Sequence, residues 1–210
     1  MIYWISRFFA LLFYKIFYPH KIFGKENLIK NGKCIVVCNH YGKIDVAFIT
    51  ALFTDKMYFL GKKEWFKHKF SNWLFRKYGG IPVDRDKVDF ESMKACFKIL
   101  NDNKRLGVFP EGTRNRSEEG LLPLKGGAGL IAFKCKAPMV PVVMQRRFRI
   151  FHKNYAYIGK PFDFEQFAGQ KSNSELNDKM TEIIRGKLLE CKAELNNLIA
   201  EDKKKRKGGK

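Results

Sequence analysis

The sequence predicts an α/β protein, a single domain whose largely parallel sheet is flanked by helices. Three observations predict it. Short apolar runs recur at 34–38, 57–60, 81–83, 106–109, 140–143 and 155–158. Helical periodicity fills most of the intervals between them, which is the alternation of a layered α/β fold. No repeat and no Pro- or Gly-rich linker divides the 210 residues, a length that suits one good-sized domain.

The chain opens on residues 2–18, dense in aromatics. At 100° per residue Ile2, Ile5, Phe8, Phe9, Leu12, Phe13 and Ile16 share one face, while Arg7, Lys15, Tyr3, Tyr14 and Tyr18 gather on the other. That is the pattern of a helix lying in a membrane interface. Two other readings stand beside it: a helix covering the protein's own core, and a short membrane span with charge inside it. A basic start and a small-residue cleavage site are both missing, so a removed signal peptide is not expected. Pro19 ends the helix, and residues 20–31 read as a connector.

Cys34-Ile35-Val36-Val37-Cys38 is rich in β-branched residues and does not alternate, so it reads as a strand buried on both faces. Asp45 then opens the apolar segment 46–53, a short helix with an acid in its favourable first turn. Residues 62–78 mix Trp65, Phe66, Phe70, Trp73, Leu74 and Phe75 with basic residues. These aromatics either pack as core or touch lipid. Residues 89–100 and 174–200 carry helical stripes. Residues 126–136 read as a helix with a glycine-rich start, which can cradle phosphate through its N–H groups. The expected organisation is an N-terminal helical element at 1–19, the domain at 20–200, and a disordered basic tail at 201–210.

Lys and Arg number 41 against 21 Asp and Glu, a net charge of +20. Such a balance favours polyanions: nucleic acid, anionic lipid or phosphorylated substrates. The five cysteines are odd in number and scattered through apolar segments, the usage of reduced, intracellular thiols rather than a disulfide framework. Cys34, Cys38 and His40 lack a suitably spaced fourth ligand, so no metal is expected.

Three apolar runs end in unlike polar clusters: His40 with Asp45, then Asp84-Arg85, then Glu111 with Thr113 and Arg114. In a parallel sheet the carboxyl ends share one edge, so these groups can face one crevice. Residues five apart on a continuous helix diverge by about 140°. His40 and Asp45 therefore meet only through a turn, which Gly42 permits. A carboxylate on one imidazole nitrogen fixes the tautomer and leaves the other nitrogen to accept a proton. Arginines bind phosphate in a bidentate fork. The set describes proton removal beside a bound anion.

These residues carry a family resemblance. Asn39-His40 through Asp45 resembles the histidine–four residues–aspartate motif of the lysophosphatidic acid acyltransferase family. Gly80-Ile81-Pro82-Val83-Asp84-Arg85, led in by Lys63-Glu64, is similar to its second block. Phe109-Pro110-Glu111-Gly112-Thr113-Arg114 matches the third, and Val140-Pro141-Val142-Val143 is similar to the fourth. The likeness covers most of residues 22–162. One departure is Gly42, where the family often has serine.

The resemblance implies an O-acyltransferase that makes phosphatidic acid in phospholipid biosynthesis. His40 is then the general base and Asp45 its support. Arg85 and Arg114 hold the acceptor's phosphate, with Lys63 as a further contact. Glu111, Gly112 and Thr113 shape the acceptor pocket, and a backbone N–H there stabilises the oxyanion. The donor is acyl-CoA or acyl carrier protein, with no cofactor. The acceptor is lysophosphatidic acid or, alternatively, another lysolipid or glycerol 3-phosphate. The implied location is the cytoplasmic face of a membrane, at an anionic surface. Nucleic-acid binding is the rival from another class. It is disfavoured because the charge is dispersed and no nucleic-acid motif is present.

Overall fold

The computed structural model describes residues 2–84, 89–117 and 119–208. Its strands are β1 (His20–Phe23), β2 (Cys34–Cys38), β3 (Met57–Lys62), β4 (Gly80–Val83), β5 (Arg105–Val108), β6 (Met139–Met144) and β7 (Asn154–Ile158). Its helices are α1 (Ile2–Phe17), α2 (Asp45–Ala51), α3 (Lys69–Lys77), α4 (Phe90–Asn101), α5 (Ala128–Cys135) and α6 (Ser174–Gly208). The strands form one mixed sheet in the order β1-β7-β6-β2-β5-β3-β4. β2 pairs in parallel with both β5 and β6, and β3 pairs in parallel with β5 and β4. The sheet changes direction only between β6 and β7. The carboxyl ends of β2, β3, β4, β5 and β6 therefore lie along one edge.

β2 is central, and every residue in it is buried. Ile35 and Val37 face the layer built by α4, α5 and α6. Cys34, Val36 and Cys38 face the layer built by α1 and α2. Two-sided burial is why this strand reads as an unbroken apolar run.

Helix α1 packs with the sense opposite to that of a core helix. Tyr14 is buried, whereas Trp4, Ile5, Phe8, Phe9, Leu12, Phe13 and Ile16 are all between 45% and 64% exposed. The polar face is the docked one. The Arg7 guanidinium donates to the carbonyls of Thr50, Phe53 and Thr54, at the end of α2. A cation there satisfies orphan carbonyls and complements the helix dipole. The reading of α1 as a cover for the protein's own core is thus overturned for its apolar face. No helix among the described residues is long and apolar enough to cross a membrane.

Residues 20–23 are strand β1, not connector; a four-residue edge strand that is only half-buried leaves no strong apolar signature. The segment 62–78 divides into a 3-10 turn at Lys63–Phe66 and helix α3. The basic tail is helical through Gly208, because Asp202 ties α6 to the sheet by accepting from Lys21, Lys153 and the Tyr155 hydroxyl. Gly126 and Gly129 allow α5 and its approach to pack closely on α6. A Cβ at Gly126 would lie 2.3 Å from Asn177 Nδ2, and one at Gly129 would lie 2.7 Å from Met180 Cβ, both on α6.

Candidate active site

His40 follows β2 directly, and its ring is only partly exposed. Its Nδ1 lies 2.8 Å from Asp45 Oδ2. The same oxygen accepts the Tyr41 and Gly42 N–H groups at 2.7 and 2.8 Å. One fully buried carboxylate thus draws the turn 40–45 around itself. Position 42 contributes its N–H, which any residue but proline would supply, so the turn does not require glycine. Gly42 has no positive φ, and a Cβ there would meet only ordinary contacts at 3.5–3.6 Å. Because Asp45 Oδ2 only accepts, Nδ1 carries the proton and Nε2 is left as the acceptor.

The imidazole lies on the Phe109 ring, centroids 4.1 Å apart and planes 22° from parallel. Phe109 in turn stacks on Phe59 at 6.2 Å. Phe59 can lie flat because Gly107 is directly opposite it; a Cβ on Gly107 would sit 2.2 Å from the Phe59 ring. Sequence reasoning placed Phe109 in a motif but gave it no role, since its partners come from β2 and β3.

Glu111 is buried, and both of its oxygens are engaged by backbone. Oε1 accepts the His40 N–H at 2.7 Å and Oε2 accepts the Leu122 N–H at 3.0 Å. Burial raises its pKa, while those two N–H bonds and the nearby His40 and Lys192 oppose the rise. Its carboxylate braces the loop after β5 against the end of β2. Gly112 adopts φ +65°, in the left-handed region where glycine is favoured. Its N–H donates to the Phe109 carbonyl at 3.0 Å. Thr113 is exposed.

The loop after β5 then returns over β2, where the Asn115 N–H donates to the His40 carbonyl at 2.7 Å. Arg114 lines a cleft of about 310 Å³ with Tyr41, the residue after His40, and with Asn115, Arg116 and Arg147. Three arginines along one cleft are a composition that suits an anion. Lys63 lies elsewhere along the edge, 3.8 Å from Asp84 at the ends of β3 and β4. Arg85 is outside the described residues. His40, Asp45, Glu111 and the loop that carries Arg114 thus meet at the end of β2, with Lys63 on the β3–β4 side.

The sequence from 20 to 145 matches the family model described as Acyltransferase. The chain belongs to the acyltransferase family. This acyltransferase is 32% identical, over 85% of its own length and 90% of the relative's, to the 1-acyl-sn-glycerol-3-phosphate acyltransferase of Bacillus subtilis. It is 34% identical to the Helicobacter pylori protein of the same description, over 58% of its own length and 52% of that protein's. It also resembles the crystal structure of the 1-acyl-sn-glycerophosphate (LPA) acyltransferase PlsC from Thermotoga maritima. That match has a TM-score of 0.66 at 26% identity, covering 89% of this chain and 78% of the other. The acyltransferase domain and these relatives make the chain an O-acyltransferase.

Two further residues of the acyltransferase site escaped sequence reasoning. Asn39 is buried and pairs with the Met144 backbone in both senses: its Nδ2 donates to the carbonyl at 3.0 Å, and its Oδ1 accepts the N–H at 2.8 Å. A side chain here does the work of a ladder pair, locking the ends of β2 and β6 together. Arg147 lay in a basic run after β6, visible in the sequence, but only the adjacency of β6 and β2 brings it to the cleft. Cys38, two residues before His40, is buried, and burial pushes its thiol well above the ordinary range. It is thereby a poor nucleophile.

Proposed function

We propose that this acyltransferase moves a fatty acyl group from a thioester donor, acyl-CoA or acyl carrier protein, to the free hydroxyl of 1-acyl-sn-glycerol 3-phosphate. The product is phosphatidic acid. One juxtaposition carries the reading: the His40 ring is fixed by Asp45 through Nδ1, and the next residue, Tyr41, lines a cleft with Arg114, Arg116 and Arg147. General-base chemistry and recognition of a phosphate are thus adjacent, as an acceptor with both hydroxyl and phosphate requires. The relatives in Bacillus subtilis and Helicobacter pylori are named for the same acceptor.

In this mechanism His40 Nε2 takes the hydroxyl proton as the oxygen attacks the thioester carbonyl carbon. The tetrahedral intermediate collapses with cleavage of the C–S bond. The departing thiolate receives the proton from the imidazolium, which returns His40 to its starting state. Asp45 stabilises the transient imidazolium and holds the tautomer. No acyl-enzyme forms on cysteine, since all five thiols are buried. Arg114 and its neighbours, with Arg85 and Lys63 as further contacts, hold the acceptor's phosphate.

The exposed aromatic face of α1 lies in the membrane interface, on the cytoplasmic side where the acceptor resides. The net charge of +20 draws the enzyme to anionic lipid, each nearby cation contributing about 1 kcal/mol. The test is purified protein with both donors and a panel of lysolipids and glycerol 3-phosphate, products read by mass spectrometry. Phosphatidic acid as the dominant product supports the proposal. Transfer only to unphosphorylated or choline-bearing acceptors would refute it.

A further inference from the structure

The aromatics of α3 are absorbed by neither the dyad nor the arginine cleft. Phe70 is 72% exposed and Trp73 is 52% exposed. They are three residues apart, so they share one helix face, and their rings lie 6.1 Å apart. The opposite side is the packed one, where Phe75 stacks against Trp65 and Phe66. Cations rim the outward face: the Lys77 ammonium lies 4.7 Å from the Trp73 ring centroid, and Lys67 and Lys69 are exposed.

The position of α3 in the fold says what this face meets. Phe66, at its approach, packs over Gly61 and Gly80, where added Cβ atoms would lie 3.2 and 3.0 Å from its ring. Gly61 and Phe59 share one face of β3, and Phe59 belongs to the layer of α1 and α2. Hence α3 covers the same side of the sheet as α1. The two helices touch: Tyr3 and Tyr78 rings are 5.5 Å apart, and the Ser6 and Tyr78 hydroxyls are hydrogen-bonded.

From that contact both helices reach the carboxyl edge. α3 starts just past the end of β3. α1 ends just before β1, whose direction is reversed and whose start is therefore on the same edge. The His40 ring and Phe109 lie on this side as well, since Phe109 packs against the α1–α2 layer.

We infer that the Phe70–Trp73 face of α3 is a second membrane-contact surface, which with α1 seats the enzyme on an anionic bilayer so that the His40 edge opens at the level of the lipid. This rests on the interfacial reading of α1 given above. Two separated apolar faces define a plane, whereas one helix alone leaves the body free to roll about its axis. Exposed aromatics interleaved with lysines are the composition that binds an anionic interface.

The experiment uses full-length protein with phosphatidylglycerol-containing vesicles and pure phosphatidylcholine vesicles. Phe70→Ser/Trp73→Ser should weaken sedimentation with the anionic vesicles by about tenfold or more. It should leave the rate on a water-soluble short-chain acceptor intact. In a protein whose single tryptophan is Trp73 (Trp4→Phe, Trp65→Phe), the emission should shift to the blue on vesicle addition. Vesicle binding within about twofold of the parent, or an unshifted Trp73 emission, overturns the inference. A self-association abolished by the double variant without loss of vesicle binding also overturns it, assigning the face to a second copy of the chain. Phe8→Ser/Phe9→Ser serves as the control: if it too leaves binding unchanged, the interfacial reading of α1 falls as well.

Discussion

The imidazole of His40 lies on the ring of Phe109, 4.1 Å between centroids, while its Nδ1 is held by Asp45 Oδ2 at 2.8 Å. A hydrogen bond at one nitrogen leaves the ring free to rotate about that contact. The aromatic face removes the remaining freedom and points Nε2 to one place. Phe109→Leu should therefore lower kcat by about tenfold with little change in the acceptor's KM, and Phe109→Tyr should restore it. Steady-state kinetics of the three proteins checks this. An equal fall with leucine and tyrosine would mean that the stack has no positioning role.

The arginine cleft separates binding from chemistry. Arg147→Ala should raise the KM for a phosphorylated acceptor by about tenfold, with kcat nearly unchanged, because a charge-assisted bond to phosphate is made in ground state and transition state alike. The effect should vanish on an acceptor lacking phosphate. Initial rates on the paired acceptors give the answer.

Helix α4 offers a test of stability against pH. Asp89 caps it, accepting the Ser92 N–H at 3.0 Å and the Asp84 N–H at 2.9 Å. Those bonds hold its carboxyl down at about 2, below the usual 3.8. Since the folded form binds the proton less tightly than the unfolded form, the cap's contribution is complete above the unfolded value and is lost as the pH falls towards 2. Asp89→Ala should cost about 1 kcal/mol near neutrality and less in acid. Asp89→Asn should flatten that pH dependence. Urea denaturation across a pH series measures both.

How much of this could be read from sequence depends on the range of the contacts involved. β2, β5 and β6 are buried on both faces, so their residue types alone announced them, and the parallel alternation followed. The dyad was legible because His40 and Asp45 are five residues apart and joined by one turn. Glu111 was visible too, but its bracing role was not, because its partners, the His40 and Leu122 N–H groups, lie on other segments. Phe109 and Arg147 share that difficulty, since strand order puts them beside β2 and residue spacing does not. The packing role of Gly126 and Gly129 was hidden because a close helix crossing and a phosphate cradle both call for the absence of a Cβ, and the crossing partner α6 is distant in sequence. For α1 the stripe was correct. Which face would dock was hidden until Arg7 was seen to meet the end of α2.

In the proposed reaction Asp45 orients His40 so that Nε2 faces the acceptor as general base, and Asp45→Asn tests this with the smallest change of shape. An asparagine oxygen can still accept the Tyr41 and Gly42 N–H groups but no longer supports an imidazolium. Single-turnover acyl transfer, measured beside thermal unfolding, should show a rate lower by about three orders of magnitude with an unchanged melting temperature, and His40→Ala should fall at least as far. Transfer at the parental rate in either variant would contradict the account.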